Sequence, residues 1–147
     1  MADRPGVDRI ELELSNQLTE LNRIAAAVED LAGRHRLPDT LAYHLNLSLD
    51  ELFTNIVSYG YDDGGTHCIR LALTVDGGML ECVLRDDGKP FNPLDRPEPD
   101  LNLPADQRPI GGLGIFLVKK AMDEVAYRRE GSENVLTLRK RLAAANG

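Results

Sequence analysis

A chain of 147 residues, 42% apolar and 28% charged, has enough apolar side chains for one compact domain and too little length for two ordinary ones, so a single domain over residues 1–147 is expected. Its 17 Lys and Arg against 24 Asp and Glu leave a formal charge of −7, which repels a polyanion and argues against nucleic acid as a direct partner. No apolar run approaches the roughly 20 residues that cross a bilayer, and the opening residues lack the basic start and apolar run of a secretion signal, so a cytoplasmic protein without a membrane role is expected.

Residues 7–14 alternate Ile10, Leu12 and Leu14 with Arg9, Glu11 and Glu13, the period-two pattern of a first strand with one buried face. Ser15 or Asn16 is placed to cap a helix in which Leu18, Leu21, Ile24, Ala25, Val28 and Leu31 recur at spacings of three or four up to Gly33. Pro38 and Asp39 open a second helix, along which Leu41, Leu45, Leu49, Leu52 and Ile56 run to Gly60 and the Asp62-Asp63-Gly64-Gly65 turn. Residues 68–75 and 79–85 are β-rich and flank Asp76-Gly77-Gly78, whose glycines suit the positive φ of a hairpin turn. Cys68 and Cys82 fall in these runs and read as half-buried strand residues. With His35, His44 and His67 scattered, they form neither a disulfide framework nor a zinc cluster.

From residue 88 to 111 the composition shifts to Pro, Asp, Asn and Gly, and Pro90, Pro93, Pro97, Pro99, Pro104 and Pro109 block regular structure. This is one long loop, either a lid over a site or plain surface disorder. A third helix follows Gly114 through Phe116, Leu117, Lys120, Ala121 and Met122 towards Glu124, and residues 125–130 and 135–142 form a hairpin about Gly131-Ser132-Glu133. The order β-α-α-β-β-loop-α-β-β predicts an α+β fold, with helices layered on one face of a mixed, mostly antiparallel sheet.

Three short segments carry chemistry. On the second helix Glu51 and Asn55 are four residues apart and point the same way, with Ser48 and Tyr59 extending the stripe. A carboxylate there can take a proton and an amide oxygen suits hard Mg²⁺, although the same pair is ordinary on any solvated helix face. In Arg85-Asp86-Asp87-Gly88-Lys89-Pro90-Phe91-Asn92-Pro93 an acid ends an apolar strand and glycine allows a sharp turn beside it. That is either a generic turn or an acceptor for an exocyclic amine. Gly111-Gly112-Leu113-Gly114 leads into a helix, so unobstructed amides and the positive end of the helix dipole converge where a phosphate would sit. It is neither the dinucleotide fingerprint nor a Walker loop, and in isolation it is equally a capping device.

The order of the three is more telling than any one of them. At this point the chain resembles the GHKL superfamily of ATPases and kinases across residues 7–142: Glu51-Leu-Phe-Thr-Asn55 is similar to its N box, Asp86-Asp-Gly88 to its first glycine box and Gly112-Leu-Gly114 to its second. The Asp-Asp-Gly-x-Pro-Phe-Asn-Pro and Gly-Gly-Leu-Gly-Ile wording, followed by Met122-Asp123-Glu124-Val125, most resembles the bacterial anti-sigma-factor serine kinases of the RsbW type. Pro90 stands where many members of the superfamily have a second glycine.

The resemblance implies a two-layer α/β sandwich of the Bergerat type, ATP bound with Mg²⁺, and phosphoryl transfer to a Ser or Thr of a STAS-domain anti-anti-sigma protein. It also implies reversible capture of a sigma factor or other regulator, and a homodimer built through the first strand and helix. Carried over, Glu51 would be the general base, Asn55 a magnesium ligand, Asp86 the acceptor for the adenine amine, and Gly112, Leu113 and Gly114 the phosphate cradle. Gly88 would let the adenine pocket form, and Lys89, Arg108 and Lys119 are basic candidates for phosphate contact. The other reading of the same residues is a non-catalytic, nucleotide-gated interaction switch.

Overall fold

The computed structural model describes residues 7–95 and 113–142. Alternation along the strands decides which face of the sheet is dry. In β1 (Val7–Ser15), β2 (Cys68–Asp76) and β3 (Met79–Asp86) every second side chain turns inward, and pairing aligns these into rows. One row runs Leu12, Leu71, Leu84, Leu136 and Tyr127 across all five strands, and its neighbour runs Ile10, Leu73, Cys82, Leu138 and Val125. Helices α1 (Leu21–His35), α2 (Asp39–Tyr59) and α3 (Leu113–Ala121) cover that face, contributing Ile24, Leu31, Leu45, Leu49, Phe53 and Val118 to one core cluster.

The strand order is β1-β2-β3-β5-β4, with β4 at Glu124–Glu130 and β5 at Glu133–Arg141, and every ladder is antiparallel. The α+β layering is as expected, but the described strands contain no parallel pair, and the parity of the connections explains why. Two helices, α1 and α2, return the chain between β1 and β2, so those neighbours oppose one another. The single helix α3 leaves β3 and β4 running the same way, but the closing hairpin sets β5 between them.

Two helix ends differ from the sequence pattern. Residues Leu18–Glu20 form a 3₁₀ turn and α1 begins at Leu21 without a side-chain cap. Asn16 is not a cap because its amide is engaged elsewhere: Nδ2 donates to the Gly65 carbonyl at 3.1 Å, and Oδ1 accepts from the His67 amide at 2.9 Å. Gly33 lies inside α1, and the helix stops three residues later at Arg36, whose φ of 50° is left-handed. Within the expected loop, Pro93–Asp95 forms a 3₁₀ turn, while residues 96–112 lie outside the described residues, and with them Arg108, Gly111, Gly112 and any lid. The cysteines are strand residues, though neither is half-buried: Cys68 is exposed at the start of β2 and Cys82 is buried in β3. Burial pushes the Cys82 thiol up to about 12.

Leu73 is fully buried on a central strand. Leu73→Ala is expected to lower unfolding stability by about 2–5 kcal/mol, through lost transfer energy and a residual cavity, as read by chemical denaturation.

Candidate functional site

Along β3 the inward side chains are apolar until the C-terminal end of the strand. There the alternation Leu80, Cys82, Leu84 continues to Asp86, and the alternation Leu138, Leu136 on β5 continues to Asn134, which is the ladder partner of Asp86. Both are buried, at 5% and 7% exposure. A carboxylate so placed needs donors. Asp86 Oδ1 accepts from the Asn134 Nδ2 at 3.0 Å and from the Gly88 amide at 3.0 Å. Burial holds the Asp86 carboxyl above its ordinary value, while these two bonds and the nearby Arg129 charge pull it back.

Above this pair, α2 supplies the opposite wall. A cavity of about 290 Å³ is bounded by Leu52, Asn55, Ile56, Tyr59 and Gly60 of α2 and its end, by Leu84 and Asp86 of β3, by Asn134 and Leu136 of β5, by Tyr127, and by the Lys89–Phe91 and Pro93 turn. Apolar walls with few polar groups are the usual make-up of a small-molecule site. Tyr59 and Phe91 stand 66% and 43% exposed while lining it.

Gly88 and Gly60 meet where the turn passes the end of α2. Lys89 N–H donates to the Gly60 carbonyl at 2.9 Å. A Cβ on Gly88 would lie 2.8 Å from that carbonyl oxygen and 2.9 Å from Asp86 Oδ1, closer than real side chains approach. The same strand end is stapled from the other side. The Tyr61 ring stacks on His67, with centroids 4.0 Å apart, and its hydroxyl donates to Asp87 Oδ1 at 2.9 Å. His67 in turn bonds Asp63 at 2.9 Å.

Asn55 and Asp86 therefore share one cavity, with Gly88 beside it. Glu51 sits one helical turn from Asn55, where its Oε2 accepts from the Ile115 amide at 3.0 Å in the first turn of α3. Leu113 and Gly114 open that helix; Gly112 lies outside the described residues. The stripe is shorter than expected, because Ser48 is fully buried, with its Oγ donating back to the His44 carbonyl. Lys89 lines the cavity with its ammonium on Asp62 at 3.0 Å, and Lys119 donates to the Leu94 carbonyl at 3.1 Å. Asn134 and Tyr127 are absent from the sequence-derived set. The signal for Asn134 was a polar residue at an inward position of the last strand, obscured by a predicted strand start two residues too late.

The donor set fits a magnesium nucleotide. Asn55 Nδ2 is buried with no hydrogen-bond partner among the described residues, so a polar donor at the cavity wall is left for a ligand. Among those residues no three His, Cys, Asp or Glu side chains cluster around a metal position. Mg²⁺ commonly takes only one or two protein oxygens and completes its shell with phosphate and water, so a lone amide oxygen is compatible.

Fold and cleft together define a class, the two-layer ATPase sandwich. The sequence matches the histidine kinase-like ATPase domain family over residues 14–140, and the chain belongs to that family. Within it the chain is 31% identical over 127 residues to the serine/threonine-protein kinase BtrW of Bordetella bronchiseptica, covering 86% of this chain and 89% of that one. It is 28% identical over 135 residues to the serine-protein kinase RsbW of Bacillus subtilis, covering 87% and 82%. Its fold is similar to the crystal structure of the RsbU and RsbW domains of Rv1364c from Mycobacterium tuberculosis, with a TM-score of 0.65 at 14% identity, over 92% of this chain and 32% of that one. The histidine kinase domain of the blue-light activated kinase EL346 from Erythrobacter litoralis matches with a TM-score of 0.53 at 20% identity, over 96% and 66%.

Gly88→Ala is expected to part the Lys89–Gly60 bond and tilt Asp86. The expected loss is about 1–3 kcal/mol of stability together with weaker nucleotide binding, as read by thermal melting and calorimetry.

Proposed function

We propose that this chain is an ATP-dependent serine/threonine protein kinase that doubles as a binding switch. It phosphorylates a STAS-domain anti-anti-sigma protein and reversibly captures a sigma factor or another regulator. The observation that carries this reading is the convergence of Asn55 and Asp86 on one apolar cavity with Glu51 a turn away, in a chain whose relatives carry serine-kinase names. ATP with Mg²⁺ would supply the phosphoryl group and neutralise charge on it.

The chain's own residues do the rest. Asp86 accepts a hydrogen bond from the purine amine, and Leu84, Leu136, Tyr59 and Phe91 exclude water from the ring. Asn55 offers its amide oxygen to the metal. Glu51 orients the attacking hydroxyl and takes its proton. The amides of Leu113 and Gly114 at the start of α3, with that of Gly112 before them, receive phosphate oxygens. A homodimer through β1 and α1 belongs to the same reading.

The bond from Ile115 to Glu51 favours a second reading, in which the protein binds nucleotide and partner without moving phosphate, because the intended base is occupied by a helix amide. Incubation with Mg²⁺, radiolabelled ATP and a STAS partner decides between them: label on the partner's Ser or Thr supports the kinase, and a bound but unlabelled partner supports the switch.

Glu51→Gln keeps an acceptor for the Ile115 amide but cannot take a proton. Transfer is expected to fall by about 10²–10⁴-fold while nucleotide affinity stays within a few-fold, as measured by single-turnover transfer and calorimetry.

Acid provides an independent check. As pH falls through the Asp86 titration, which lies above the ordinary 3.8 because the group is buried, the carboxyl gains a proton and stops accepting from the amine. Adenine-nucleotide affinity is therefore expected to drop at a higher pH than an exposed aspartate would dictate. Asp86→Asn should bind weakly at every pH.

A further inference from the structure

Asn134 is 7% exposed and all of its amide hydrogen-bonding capacity is directed at the protein. Nδ2 donates to Asp86 Oδ1 at 3.0 Å and to the Lys89 carbonyl at 2.8 Å. Oδ1 accepts from the Tyr127 hydroxyl at 2.6 Å and from the Phe91 amide at 3.3 Å. The orientation of the amide is dictated by its neighbours. A backbone carbonyl can only accept and a backbone amide can only donate, so flipping the group would set amine against amide hydrogen and oxygen against two acceptors. Asn134 lines the cavity and has no hydrogen-bonding site left for a ligand inside it.

Its effect on a ligand passes through Asp86. Among the described residues both donors to that carboxylate, Asn134 and the Gly88 amide, fall on Oδ1. Oδ2 receives none from the described residues and belongs to a side chain that lines the cavity. A buried carboxylate with donors on one oxygen stays an acceptor on the other. An acceptor welcomes the amine of a 6-aminopurine and opposes the carbonyl of a 6-oxopurine. The same Asn134 amide ties the Lys89 carbonyl and the Phe91 amide, the two ends of the turn that forms the cavity's rim.

We infer that Asn134, held in orientation by Tyr127, is the positioning residue that sets purine selectivity at this site, keeping Asp86 an acceptor so that 6-aminopurines are bound and 6-oxopurines refused. The inference rests on the reading of the cavity as a purine-nucleotide site, and the test separates the two. ADP and IDP, which differ at the purine 6-position and cannot donate a γ-phosphoryl group, are titrated by calorimetry in Mg²⁺ buffer against the whole chain and its variants. Wild type is expected to prefer ADP by at least about tenfold, as an acceptor set against a carbonyl implies.

In Asn134→Leu, Asp86 loses a donor, its neutral form is favoured and can donate to a 6-oxo group, so the preference shrinks below about threefold. Asn134→Asp sets a second carboxylate at hydrogen-bond distance from Asp86, and the two share a proton, with the same loss of preference expected. A purely structural role would weaken ADP and IDP alike and leave their ratio unchanged.

ADP binding by wild type with an unaltered ratio in both variants overturns the inference and leaves the nucleotide site standing. Failure of wild type to bind either nucleotide overturns both. If either Asn134 variant loses its cooperative melt, Tyr127→Phe, which removes one donor to the amide, is expected to narrow the ratio at least about twofold. An unchanged ratio there also overturns the inference.

Discussion

A carboxylate at the end of a leucine-lined strand is a liability unless something donates to it, and the rest of the site follows from how Asp86 meets that demand. Its donors come from the strand beside it and from the backbone two residues on, Asn134 Nδ2 and the Gly88 amide. Taking the second forces the chain to double back at Gly88, which brings the Lys89 amide onto the Gly60 carbonyl and ties β3 to the end of α2. Taking the first requires β5 beside β3, in the register that pairs residue 86 with residue 134. One buried charge thus constrains the sheet order, the turn and the position of the helix that forms the opposite wall.

Helix α2 is amphipathic in an unusual sense, because both of its stripes are committed. Leu45, Leu49, Leu52 and Phe53 lock it onto the sheet, and this packing sets where Asn55 and Glu51 come to rest. The i, i+4 relation then places the two polar groups along one line, Asn55 at the cavity and Glu51 at the first turn of α3. The Glu51 carboxylate on the Ile115 amide has the geometry of a helix cap and complements the helix dipole, so a side chain of α2 steadies the start of α3.

The far face of the sheet shows how an open layer stays compatible with water. Its rows carry Arg70 on Glu133 and Arg139 between Glu81 and Glu124, at 2.7–3.2 Å. Exposed pairs of this kind contribute little stability. Their use is to keep a flat face free of apolar patches, while both edges of the sheet end in strands rich in charge.

Periodicity in the chain was sufficient for the helices, the strands, the buried side of the first strand and the spacing of Glu51 and Asn55, because those depend on local geometry of 3.6 and two residues per repeat. Glycine and acid at 86–88 were equally legible, since a strand end followed by a sharp turn is a local event. Only the tertiary structure decided that the sheet has no parallel pair among its described strands, that Ser48 is buried, that Lys89 and Lys119 are held by Asp62 and the Leu94 carbonyl, and that Asn134 stands under the cavity. Each of these is a matter of pairing between segments far apart in sequence. No period along a single segment carries information about which strand will lie beside it, so a polar residue 48 positions from Asp86 gains its meaning only when the ladder closes.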